Sequence, residues 1–279
     1  MPMLIDSHSH IDTEPFDHDR ASAMERARSV GVHQQIVPAI ARDGWSHLRE
    51  VCNQHAGLFP AYGLHPMFLD HHRPQHLDDL VEILDREKPL AIGECGLDFF
   101  VEGLDRDDQY RYFNDQLKLA CDRDLPVIVH ARRAFDEVTA CLLKFKRLRG
   151  VVHSFSGSLQ QAEALWKLGF SIGIGGPLTY PRAQRLRSVV ADMPSELLLL
   201  ETDSPDQPMH GRQGQRNEPA RLIDVLMAVA QVRGASVDEI ARVTTQNAQR
   251  LFKLPPAPAP ASKPGQMEGR PGADEVANQ

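Results

Sequence analysis

The chain has 279 residues, 42% hydrophobic and 25% charged, the balance of a globular protein large enough to fold without disulfide staples. Lys and Arg number 31 against 38 Asp and Glu, a net charge of -7, which excludes binding nucleic acid through a broadly basic surface. An enzyme that meets phosphate at a metal site remains open, because bound cations reverse the local field.

Met1-Pro2-Met3 runs directly into a short apolar stretch and Asp6, without the basic and apolar regions of a signal peptide. No apolar run approaches the roughly 18–20 residues of a membrane span, so a cytoplasmic protein with no membrane contact is expected. Strand-length apolar runs then follow in order: MLID (3–6), QIVPA (35–39), FPAYG (59–63), LAIG (90–93), PVIVH (126–130), GVVH (150–153), FSIGIG (170–175) and ELLLLE (196–201). Helical spacing appears between and after them, as in Leu77, Leu80, Val81 and Leu84, or Leu222, Val225, Leu226 and Val229. Ser158 with Gln161 and Ser236 with Glu239 fit capping boxes, and Pro219 fits the first position of a helix.

Eight continuous apolar strands separated by helices predict an α/β fold whose parallel sheet is buried on both faces. The first strand ends in Asp6-Ser7-His8-Ser9-His10, without the glycine-rich turn of a doubly wound dinucleotide fold. Eight strands therefore favour a closed (β/α)8 TIM-type barrel, with helix 236–251 added at one end. The expected domain is 1–254. Residues 255–279, PPAPAPASKPGQMEGRPGADEVANQ, form a Pro- and Ala-rich tail expected to stay disordered. Cys52, Cys95, Cys121 and Cys141 show no CxxC pairing and read as reduced core thiols.

Thirteen histidines point to a metal. Polar residues recur where the strands end: His8 and His10 after strand one, His65 after strand three, Glu94 after four, His130 after five, His153 after six, Asp203 after eight. The carboxyl ends of parallel barrel strands meet at one face, so these distant residues converge. Singly, each has a structural explanation: a hydrogen-bonded loop histidine, a turn Asp before Ser-Pro, a paired carboxylate. Together they predict a metal site. Six ligands exceed one ion's needs and suit two divalent ions with Glu94 as the bridge, since a carboxylate offers two oxygens. His8, His10 and Asp203 are assigned to one ion, His130 and His153 to the other. Mg²⁺ or Mn²⁺ is expected in turnover, with Zn²⁺ also compatible with the donors. Asp203 is placed to take the proton of an attacking water. Arg132 is a candidate phosphate clamp, and Phe99, Phe100, Phe155 and Tyr180 are aromatics near the same face.

These segments resemble the TatD-type metal-dependent deoxyribonucleases, within the amidohydrolase-like barrels. The matching stretches are IDSHSHID (5–12), YGLHP (62–66), GECGLDF (93–99), PVIVHAR (126–132), HSFSGS (153–158), LLLETDSP (198–205) and RNEPA (216–220). SLQQAE (158–163) and SIGIGGPLTYPRA (171–183) resemble the YjjV-like branch. The resemblance implies metal binding by His8, His10, Glu94, His130, His153 and Asp203, and substrate roles for His65 and Arg132. Cys95 and Ser154 depart from the usual family residues without touching the ligand set. The implied activity is divalent-metal-dependent cleavage of DNA, often exonucleolytic from the 3′ end. DNA ends or single strands are the expected partners, and no obligate protein partner is evident. Two rivals stand beside it: a small-molecule amidohydrolase, lactonase or phosphotriesterase, and a catalytically idle metal-binding barrel. Phosphotriesterase-type sites are typically bridged by a modified lysine, whereas strand four here offers Glu94.

Overall fold

The computed structural model describes residues 2–256. Eight parallel strands alternate with helices: β1 (Leu4–Asp6), α1 (Arg20–Ser29), β2 (Val32–Pro38), α2 (Trp45–Gln54), β3 (Leu58–Ala61), α3 (Gln75–Glu87), β4 (Ile92–Asp98) and α4 (Arg106–Asp122). The second half continues with β5 (Val127–Arg132), α5 (Phe135–Leu142), β6 (Gly150–Val152), α6 (Leu159–Lys167), β7 (Ser171–Ile174), α7 (Gln184–Asp192), β8 (Leu198–Leu200), α8 (Leu222–Arg233) and α9 (Val237–Phe252). The strands pair in sequence order as β1-β2-β3 and β4 through β8, and a Tyr62–Ile92 bridge joins the two groups.

Closure falls between β8 and β1. Ser7 N–H donates to Leu200 O at 3.0 Å and Asp203 N–H to His8 O at 2.9 Å. The buried Asp6 carboxylate accepts from Thr202 N–H at 2.9 Å and from Thr202 Oγ at 2.6 Å. The fold is thus the expected closed (β/α)8 barrel.

Two cores fill it. The larger lies between strands and helices, where Leu80 and Leu84 of α3 and Leu222, Val225, Leu226 and Val229 of α8 are buried. The smaller is the barrel interior, where Ile5, Ile36, Ile128, Val151 and Leu199 meet Ala248, Leu251 and Phe252 of α9. The added helix therefore closes the amino end of the barrel, tied by Thr245 Oγ to Met3 O at 2.7 Å and Asn247 Nδ2 to Leu198 O at 2.9 Å. Phe252 is 1% exposed. Phe252→Ala should cost about 3–5 kcal/mol through lost burial and a cavity, read as a lower midpoint in urea unfolding.

Local expectations fare unevenly. Ser158 and Gln161 form the full reciprocal box, while Ser236 accepts from Glu239 N–H at 3.1 Å without a return contact. Pro219 opens a short 3₁₀ turn, Pro219–Arg221, and α8 starts after it. β4 runs to Asp98, well past the apolar LAIG segment. Gln34 Nε2 donates to Pro255 O at 2.9 Å, so contacts with the body reach Pro255. The rest of the expected tail, from 257, lies outside the described residues.

Candidate metal centre

Alternation along the strands delivers most of the site. His130 and His153 come two residues after the inward Ile128 and Val151, so they face the axis at the carboxyl end. Glu94 obeys a different rule. Counting by twos from the inward Ala91 would turn Glu94 outward. The register of β4 against β5 slips between Ile92 and Cys95, and this bulge re-aims the carboxylate, with Glu94 N–H anchored on Ala39 O at 2.9 Å. Beside it Gly96 has φ +150, and a Cβ there would lie 2.0 Å from His130 O; only glycine lets the two strands approach this closely. Asp203 has φ +54, a left-handed conformation that costs a non-glycine residue of order 1 kcal/mol or more and turns the chain sharply after β8.

Around Glu94 the donors divide into two sets. Oε2 lies 3.0 Å from His8 Nε2 and 3.7 Å from His10 Nε2, and Asp203 Oδ1 stands 3.5 and 3.7 Å from the same two nitrogens. Oε1 lies 2.9 Å from His65 Nε2, 3.0 Å from His130 Nδ1 and 2.7 Å from His153 Nε2. All of the predicted strand-end residues therefore meet around one carboxylate. Only Arg132 stands apart, exposed at the rim with its guanidinium 3.7 Å from the Phe100 ring centre. The mouth above the cluster is a cavity of 740 Å³.

The electrostatics suit cations. Burial pushes the Glu94 carboxyl up, yet the imidazoles of His153, His65 and His8 hold it well below the usual range. Burial pushes His8 well down. Burial also opposes charge on His153, but the adjacent Glu94 carboxylate outweighs it and raises this imidazole to about 10. Asp203 is raised, chiefly by burial. Nitrogens face one another at 3.2 Å in two places, His8 with His10 and His130 with His153, with one carboxylate between them. Imidazoles and carboxylates converging in this way fit divalent metal, and the group His8–His10–Glu94 has the necessary proximity.

A family model described as TatD related DNase matches residues 5–253. The chain belongs to that family. It is 42% identical over 255 residues to the metal-dependent hydrolase YjjV of Escherichia coli K12, covering 90% of this chain and 98% of that protein. The crystal structure of E. coli YjjV, a TatD homologue, superposes with a TM-score of 0.87 at 41% identity over 90% of this chain and 98% of the other. The 3′-5′ ssDNA/RNA exonuclease TatD of Pantoea sp. is 32% identical, with 90% of this chain and all of that protein covered. This TatD-family chain is accordingly a metal-dependent hydrolase.

Several residues that sequence reasoning left without a role support the TatD-family site from behind. Asp98 accepts from Phe100 and Val101 N–H at 2.9 and 3.0 Å, and its Oδ2 lies 2.9 Å from His130 Nε2, leaving Nδ1 of that ring for the site. Gln207 Nε2 donates to Ser154 Oγ at 2.6 Å and also to Asp203 Oδ2. In RNEPA, Asn217 Nδ2 donates to Thr202 O and Asp206 O, both at 2.8 Å, pinning the loop that carries Asp203. Glu201 is fully buried beneath the histidines. Among the described residues its Oε2 has no hydrogen-bond partner, nor do the buried Nδ1 atoms of His8 and His153, and the three residues lie close enough to share one ligand. Burial raises the Glu201 carboxyl to about 8. Leu199 faces inward, and Glu201, two residues later, follows the same alternation. Gly173 makes the room, since a Cβ there would lie 2.0 Å from Glu201 Oε2. Gly173→Ala should displace Glu201, lower the thermal midpoint by several degrees and weaken metal retention, read by metal content after dialysis.

His65 differs from the other imidazoles. Its Nδ1 accepts Met67 N–H at 3.1 Å, and burial lowers its pKa to about 4. A neutral ring that accepts at Nδ1 carries its proton on Nε2. His65 therefore presents an N–H donor to the site, where a ligand would present a lone pair.

Proposed function

We propose that this hydrolase removes nucleotides from the 3′ end of single-stranded DNA, using two divalent ions, Mg²⁺ or Mn²⁺ in turnover, on the two sides of Glu94. The observation that carries the reading is the two-faced carboxylate, with Oε2 toward His8 and His10 and Oε1 toward His130 and His153. His8, His10 and Asp203 would hold one ion, His130 and His153 the other, with Glu94 between. When bound, the ions supply positive charge against the phosphate oxygens and acidify water.

The remaining chemistry belongs to the side chains. Phosphodiester cleavage needs on the order of 20 kcal/mol of barrier reduction, and prepositioned charge is the largest single source. Asp203, held by Gln207 and made more basic by burial, accepts the proton of the attacking water. The His65 N–H donates to a non-bridging phosphate oxygen, the role that its tautomer fits. Arg132, on the exposed rim, holds a neighbouring phosphate with its planar fork. With a net charge of -7, the surface repels a long duplex. Binding is accordingly focused on a flexible end that reaches into the mouth.

The test is a single-stranded oligonucleotide labelled at its 5′ end, the same sequence circularised, and a panel of lactones and phosphotriesters, each with Mn²⁺. The expected result is a ladder shortening from the 3′ end, an intact circle and far slower turnover of the small neutral substrates. Lactone hydrolysis with no nucleotide release would overturn the nuclease reading. Cutting of the circle at the linear rate would replace it with an endonuclease.

A further inference from the structure

Next to the mouth lies a second groove of 520 Å³, lined by Pro177, Tyr180, Arg182, Ala183, Gln207 and Pro208. Pro177 and Gln207 also line the mouth, so the two spaces adjoin. The Tyr180 hydroxyl donates to Pro208 O at 2.9 Å, which fixes the ring across the gap between the loops after β7 and β8. Arg182 carries its guanidinium 5.6 Å from the centre of that ring, and His210 meets the ring edge-on at 5.5 Å. This lining holds one cation and no carboxylate, on a chain whose net charge is -7.

The arginines are also available. Arg182 and Arg185 are exposed; Arg185 donates to Ser156 O at 2.8 Å, and Ser156 lines the mouth. Among the described residues neither arginine forms an ion pair, whereas Arg149 and Arg212 pair with Asp124 and Asp224. Arg182 thus lines the groove without a carboxylate partner among the described residues, Arg185 is anchored on Ser156 at the mouth, and the fixed Tyr180 ring lies beside Arg182.

We propose that this groove is a subsite for the strand on the 5′ side of the scissile phosphate, with Tyr180 stacking a base and Arg182 holding a backbone phosphate. It rests on the nuclease reading above and adds to it a specificity element outside the metal cluster. A ring that stacks on any base face and a cation that contacts the backbone recognise single strands without sequence preference. A double helix, with its bases already paired and stacked, offers no base to Tyr180.

The experiment compares kcat/KM for an eight-residue oligothymidylate with that for bis(4-nitrophenyl) phosphate, which reaches the metal cluster but has no strand to lay in the groove. Base stacking of the usual strength predicts that Tyr180→Ala lowers the oligonucleotide-to-small-diester ratio about tenfold. Tyr180→Phe, which keeps the ring and loses the bond to Pro208, should hold the ratio. Arg182→Gln should lower it severalfold and flatten the salt dependence of oligonucleotide KM by about one phosphate contact. Equal losses in Tyr180→Ala and Tyr180→Phe would assign the effect to loop anchoring and overturn the stacking subsite. A ratio unchanged in both Tyr180→Ala and Arg182→Gln would overturn it while leaving the nuclease reading standing. A wild-type enzyme that hydrolyses the small diester and leaves the oligonucleotide intact would overturn both.

Discussion

Glu94→Gln should lower turnover by about a thousandfold or more while the barrel stays folded. The amide has nearly the shape of the carboxylate, so the bulge in β4 and the bond from residue 94 N–H to Ala39 O have no steric reason to change. What disappears is the second anionic oxygen. Glu94 Oε1 faces three imidazoles between 2.7 and 3.0 Å and Oε2 faces His8 at 3.0 Å. An amide presents one neutral acceptor and one donor to those two sets. Cations gathered there would go uncompensated in a low dielectric, where such losses are worth several kcal/mol. Far-UV circular dichroism should match wild type, bound metal measured by mass spectrometry should fall, and the rate on bis(4-nitrophenyl) phosphate should approach background. Near-normal turnover with full metal content would mean that Glu94 does not hold the metal.

The fold was legible because most strands of the barrel are buried on both faces, which leaves an apolar run in the sequence. It was blurred where that logic fails. β4 continues through Gly93, Glu94, Cys95 and Gly96, a fully buried stretch whose composition looks like a loop because it carries the central carboxylate and a glycine forced by strand proximity. β2 starts earlier than QIVPA, at Val32, since polar His33 and Gln34 interrupt the run.

The strand-end residues were legible for a topological reason: in a parallel barrel any residue just past a strand has one place to go. Their partners were not. Gln207 reaches Asp203 from a loop with φ +51, a backbone turn that sequence does not announce. Asp98 and Glu201 needed the direction of alternation at each strand end, which the bulge in β4 changes in one case and plain counting from Leu199 supplies in the other. The distinction between His65 and the other imidazoles depends on a single backbone N–H at Met67, a feature of three-dimensional geometry with no trace in composition.

Removing divalent ions should abolish turnover entirely, and Mn²⁺ or Mg²⁺ should restore it. The donor set contains imidazoles and carboxylates but no thiolate: Cys95, next to Glu94 in sequence, is buried with its Sγ directed to Ile128 O at 3.8 Å, and burial raises its thiol above the ordinary range. Such a set binds several divalent ions with moderate selectivity, so exchange by chelator and dialysis is practicable. Metal-free protein should also keep its fold, because the two hydrophobic cores and the α9 closure involve no ligand. In that state burial works against a proton on His153, but the Glu94 charge prevails and raises the ring to about 10, so a proton occupies the place at neutral pH that an ion would take. Metal uptake must displace it. Titration calorimetry at pH 7 in buffers of different ionisation enthalpy should therefore show proton release on Mn²⁺ binding. Asp203→Asn, which removes the proposed proton acceptor and exchanges a proposed ligand carboxylate for an amide, should weaken that binding while leaving the His153 proton to be displaced. Full turnover in excess chelator, with metal content verified as nil, would sink the metal mechanism and return the barrel to a site that works through its imidazoles and carboxylates alone.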